Sequence, residues 1–165
     1  MARFLIVTIA LLTALTARAQ IVGESWRDHL SYNNCKAVAV ADGEVYCASS
    51  SSLFSYSKSD GRVRHLTTIE GLSDMGVGSI AYSDEASRLV IGYSNGNIDL
   101  MDDDGRVYNL SGLKDKSMST SKNINHIGFD GSKAYLSCDF GLTTIDIKRR
   151  EFVDTYILRA GGRQI

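Results

Sequence analysis

From Ala37 onward the chain is a succession of short apolar runs, four to six residues long, separated by Gly, Asp, Asn and Ser. Runs of that length bounded by turn residues read as β-strands. They fall into three groups of four. The first group predicts strands at Ala37–Ala41, Glu44–Ala48, Leu53–Tyr56 and Val63–Leu66. The second predicts Ser79–Tyr82, Arg88–Tyr93, Asn97–Met101 and Val107–Leu110, and the third Ile124–Phe129, Lys133–Ser137, Leu142–Ile147 and Phe152–Ile157. Asp42-Gly43 and Asp130-Gly131 are hairpin signals, because both residue types accept positive φ. The second run of each group is the most apolar, as expected of a strand packed on both faces.

Ser52, Gly96 and Gly141 fall at equivalent places, so the groups repeat with a period of about 44 residues. Four strands per repeat at this period is the signature of a β-propeller blade. The expected fold is all-β: three four-stranded antiparallel blades, at about 37–66, 79–110 and 124–157, in a partial propeller spanning 37–165. A closed ring needs about four to eight blades, so the ring is expected to be incomplete. The longer connections Thr67–Val77 and Ser111–Asn123 join the blades. Loops of this kind gather on one face and often bind. Glu70 and Asp74 in the first of them are the candidate interaction residues.

The N-terminus reads differently. Arg3 precedes an apolar run, Phe4–Thr16, and then Ala17-Arg18-Ala19. That is a signal-peptide pattern, with cleavage expected between Ala19 and Gln20 and an exported product at the periplasm or cell surface. The run is too short to span a bilayer as a helix, and no transmembrane segment is expected after signal removal. Residues 20–36, with Trp26 and Tyr32, are expected to form a lid on blade one or a ring-closing segment. Without residues 1–19, Lys+Arg falls from 18 to 16 against 19 Asp+Glu, a net charge of about −3. Such a balance does not fit a nucleic-acid binder.

Three cysteines leave at least one unpaired. If the 42–43 hairpin aligns Val38 with Cys47, a straight strand puts Cys35 ~10 Å from the position facing Cys47. That is beyond disulfide reach, so buried free thiols are the expectation.

No catalytic, cofactor or metal motif stands out. Asp102-Asp103-Asp104-Gly105 lacks the alternation and distal Glu of a calcium loop and reads as a solvated turn. His29, His65 and His126 have no metal or catalytic spacing, and His65 and His126 sit in predicted strands. An enzyme is therefore not expected, and catalytic, cofactor and metal residues are entered as none.

Four segments resemble a known family: WRDHLSY, GEVYCASSSSLFSY, EGLSDMGVGSIAYSDEASRLVIGYSNGNIDLM and KNINHIGFDGSKAYLSCDFGLTTIDI. They are similar to the N-terminal propeller of the PorZ family, components of the type IX secretion system of Bacteroidetes. The resemblance implies a non-enzymatic, surface-exposed scaffold of secretion and attachment. It also implies two propellers and a sorting domain in the whole protein. Implied partners are proteins of the attachment complex, including a sortase-like protease, with anionic lipopolysaccharide as a further candidate. The GLSD and G-[YT]-x-N-G elements also resemble the ligand-sensing propellers of hybrid two-component regulators, which is the alternative reading.

Overall fold

A computed structural model describes residues 31–49 and 51–158. Twelve strands form three separate four-stranded antiparallel sheets. Blade one holds β1 (Ala37–Val40), β2 (Glu44–Ala48), β3 (Leu53–Ser57) and β4 (Val63–Leu66). Blade two holds β5 (Val77–Ser83), β6 (Arg88–Tyr93), β7 (Ile98–Asp102) and β8 (Val107–Leu110). Blade three holds β9 (Ile124–Asp130), β10 (Lys133–Cys138), β11 (Gly141–Asp146) and β12 (Glu151–Ile157). Each strand pairs only with its sequence neighbours, and no strand crosses between blades. The first strands of the blades lie together, β5 against β1 and β9, as do the strands nearest a propeller axis.

Two apolar cores hold the blades together, and β6 feeds both. Leu89, Ile91 and Tyr93 point into the blade-one interface with Leu53, Leu66, Leu72 and Ile80. Val90 points the other way, into a core with Leu100, Ile124, Leu136, Ile145 and Ile147. All four β6 side chains are at most 1% exposed. Burying one such side chain is worth ~1.5–3 kcal/mol, which is why the β6 run is apolar at successive positions. Gly92 supplies the close approach. A Cβ there would stand 2.6 Å from the Ile124 side chain, so only glycine lets β9 reach β6.

The connection from blade two to blade three contains α1 (Gly112–Asp115), one turn that buries Leu113. Its shortness kept it from view in the apolar pattern. The strand β5 starts at Val77, with a ladder irregularity between Val77 and Ser79. Among the described residues, no helix is long and apolar enough to cross a membrane.

The cysteine expectation is overturned. Val38 does face Cys47, but the chain does not run straight back from β1. Asn34 adopts φ 62°, and the bend brings Cys35 to a Cα separation of 6.2 Å from Cys47, where the two form a disulfide. Cys138 is the free buried thiol. Burial, and then Asp139, push its thiol up to about 11. Tyr32 packs on the edge of blade one, its ring 4.0 Å from that of His65 and 6.0 Å from that of Phe54. Trp26, His29 and the rest of residues 20–30 lie outside the described residues.

Candidate functional site

Glu70 and Asp74 share the β4–β5 connection but serve different structures. Glu70 turns back on its own loop. Its carboxylate accepts the Thr67 backbone N–H at 3.0 Å and the Thr67 hydroxyl. The Thr67 hydroxyl oxygen in turn accepts the Ile69 N–H at 3.1 Å. This is the reciprocal logic of a capping box, Thr-x-x-Glu. It fixes a tight turn that carries Leu72, 6% exposed, into the core.

Asp74 reaches across to blade two. It accepts the Asn95 amide at 2.6 Å, the Lys114 ammonium at 2.8 Å and, more distantly, the Asn97 amide at 3.4 Å. Its other oxygen accepts the Met75 N–H at 3.0 Å. One carboxylate thus joins the β4–β5 loop, the β6–β7 turn and α1. Burial raises its pKa, but the hydrogen bonds from Lys114, Asn95 and Met75 outweigh that and hold it down at about 2.

Beneath it lies a second carboxylate. Asp99 in β7 is fully buried. It accepts the Tyr93 hydroxyl at 2.6 Å, the Ser73 N–H at 2.8 Å and the Asn109 amide at 2.8 Å. Burial first, then the charge of Asp99, raise the Tyr93 phenol far above its ordinary range, so it stays a neutral donor. Asn109 also donates to Asn97 Oδ1 at 2.9 Å. The turn between β6 and β7 closes through Gly96 at φ 86°. The segments Gly71-Leu72-Ser73-Asp74 and Gly92-Tyr93-Ser94-Asn95-Gly96, far apart in the chain, are therefore hydrogen-bonded halves of one clasp.

Sequence reasoning found Asp74 but not Asn95, Asn97, Asp99, Asn109 or Lys114. The available signal was Asn95-Gly96-Asn97-Ile98-Asp99, whose polar residues alternate on a strand otherwise read as apolar. The Asp102–Asp104 carboxylates diverge. Asp102 pairs with Arg88, Asp103 accepts the Tyr82 hydroxyl at 2.9 Å, and Asp104 accepts the Arg106 N–H at 3.0 Å. Among the described residues, no three His, Cys, Asp or Glu side chains are grouped to hold a metal ion. Ala19 and Gln20 lie outside the described residues.

The depressed pKa has a testable sign. A carboxyl whose folded pKa is lowered from 3.8 to about 2 stabilises the fold above 3.8, and that contribution is lost as pH falls through about 2. An NMR titration of the Asp74 carboxyl carbon is expected to find its midpoint near 2. Lys114→Met is expected to move it upward. A midpoint at the ordinary value in the unchanged protein would show that the clasp is open in solution.

Comparison with known proteins places this geometry. The family model described as the TSS9, PorZ, N-terminal beta-propeller domain matches residues 45–165. A solved structure of PorZ, an essential bacterial surface component of the type IX secretion system of Porphyromonas gingivalis, is 35% identical. It superposes with a TM-score of 0.70 over 74% of this chain, which spans 16% of the PorZ chain. The extracellular domain of a hybrid two-component system from B. thetaiotaomicron is 13% identical, TM-score 0.65, over 81% of this chain and 18% of its own. The WD40 repeats of RRP9 are 15% identical, TM-score 0.60, over 78% of this chain and 39% of theirs. These last two likenesses carry the fold alone. Among curated proteins none matches. The family match and the PorZ identity together show that this chain belongs to the PorZ N-terminal β-propeller family.

Proposed function

We propose that this propeller is a non-enzymatic scaffold of the type IX secretion and cell-surface attachment machinery, working outside the cytoplasm through protein partners. The observation that carries the reading is the 35% identity to PorZ across three quarters of the chain. The site supports it in a second way. The loop carboxylates Glu70 and Asp74 are engaged by intramolecular donors, which suits holding a surface in shape rather than moving protons. Anionic lipopolysaccharide is a further partner that this reading allows, and the inter-blade loops are the proposed contact surface. Export with cleavage between Ala19 and Gln20 belongs to the same proposal.

The test is a cargo-attachment assay in a strain complemented with full-length variants. Glu70→Ala is expected to cost ~1 kcal/mol of stability, as loss of a cap does, and to leave attachment intact. Asp74→Ala is expected to loosen the clasp and also retain attachment. Deleting Ser79–Leu110 removes the shared wall of both cores and is expected to abolish it. Complete loss of attachment from Glu70→Ala or Asp74→Ala, with normal protein level and thermal stability, would instead establish an enzyme.

A further inference from the structure

The blade-two/blade-three interface and the blade-one/blade-two interface differ at equivalent positions, at the end of the blades away from the clasp. In blade two the cross-strand row is Val90, Leu100 and Tyr108, facing blade three. In blade one the corresponding row is Tyr46, Ser55 and Arg64, facing blade two. Tyr46 and Val90 are 44 residues apart, as are Arg64 and Tyr108.

The apolar corner is filled. The Arg150 guanidinium stacks 3.4 Å from the centre of the Tyr108 ring, and Arg88 approaches at 5.7 Å. Arg88 is held by Asp102 and by the Ile147 carbonyl oxygen at 2.7 Å. The polar corner is open. It is a groove of about 320 Å³ lined by Glu44, Tyr46, Ser55, Arg62, Arg64 and Asp103, among others.

Two charges in this groove are unmatched by the protein. Glu44 Oε2 is buried and has no hydrogen-bond partner. Arg64 enters no ion pair among the described residues. Arg62, by contrast, is paired with Asp60, and Asp103 accepts the Tyr82 hydroxyl. A buried carboxylate oxygen left without a donor is costly, so the site calls for a donor from outside. Tyr46, 4% exposed, and Ser55, 1% exposed, form the floor. Burial raises the Tyr46 phenol; Glu44 adds to that, Arg64 opposes it and Asp103 adds a little more, so these charges surround one hydroxyl.

Glu44 stands on β2 and Arg64 on β4, two strands apart and so ~10 Å across the sheet, with long side chains that shorten the gap. A ligand of one charge would satisfy one wall and leave the other. A ligand with an ammonium for Glu44 and a carboxylate for Arg64, separated by a few bonds, satisfies both. The volume is at the small-molecule end of binding sites, which begin at ~300 Å³. We propose that the groove between blades one and two binds a small zwitterion of dipeptide size, its ammonium at Glu44 and its carboxylate at Arg64. The proposal does not depend on the secretion role.

The test is calorimetric titration of the full-length protein with diglycine and dialanine, and with dialanine capped as its N-acetyl or C-amide form. The free dipeptides are expected to bind. Either cap is expected to weaken binding at least tenfold, as are Glu44→Gln and Arg64→Gln. Glu85→Gln, at the exposed Glu85–Lys148 pair, is expected to leave binding unchanged. Thermal unfolding run on each variant identifies any that fail to fold. The capped peptides decide the matter on the unchanged protein in any case. Absence of binding by both free dipeptides, or equal binding of free and capped forms, overturns the proposal. Equal binding would assign the groove to a neutral polar ligand.

Discussion

Replacing Asp99 by alanine is expected to lower stability by ~3–5 kcal/mol, the cost of removing one partner from a buried charged network. The carboxylate is fully buried, and the change strands three donors at once: the Tyr93 hydroxyl, the Ser73 N–H and the Asn109 amide. Each buried donor left without an acceptor costs ~1–3 kcal/mol, though the three share one cavity and will not simply add. At ~2–4 °C per kcal/mol for a domain of this size, thermal unfolding of the full-length variant should fall by about 10 °C or more. Asp99→Asn keeps the shape and one acceptor oxygen, and is expected to fall by much less. A drop of under about 2 °C for Asp99→Ala would show that the clasp does not hold blade two to the β4–β5 loop.

The second large effect is expected on reduction. The Cys35–Cys47 disulfide closes a loop with a sequence separation of 12. Chain-entropy arithmetic gives ~3 kcal/mol for a loop of this length. A reductant should therefore lower the melting temperature of the unchanged protein by several degrees. The double variant Cys35→Ser/Cys47→Ser should melt at that lower temperature and no longer respond. Thiol titration of the denatured, unreduced protein should find one thiol, that of Cys138. Three thiols would mean that the pair is open in solution.

What the sequence made legible was whatever depends on neighbours. Asp42-Gly43 turns where two adjacent residues predict a turn, and Val38 then faces Cys47 as the count requires. The threefold recurrence of such local units yields the blades. What stayed hidden depends on distant partners or on one backbone angle. Asn34 at φ 62° is a single departure from an extended path, yet it decides whether Cys35 meets Cys47. In the candidate site Asp74 was legible as a loop acid, but its partners Asn95 and Lys114 arrive from other elements. Asp99 was harder still. Charged residues on strands normally mark the solvent face, and nothing nearby in the chain announces that Ser73 and Tyr93 will enclose it.

The fit of Gly92 against Ile124 has a consequence for how β6 finds its place. A strand with one polar face cannot slip by a residue without turning its apolar side to water. Strand β6 lacks that safeguard, since Leu89, Val90, Ile91 and Tyr93 are apolar on both faces. A one-residue slip would keep all of them in oil. It would, however, bring Ile91 or Tyr93 to the spot where β9 leaves no room even for a methyl group. The missing side chain thus acts as a notch in a key, indexing a strand whose hydrophobicity alone would accept two alignments.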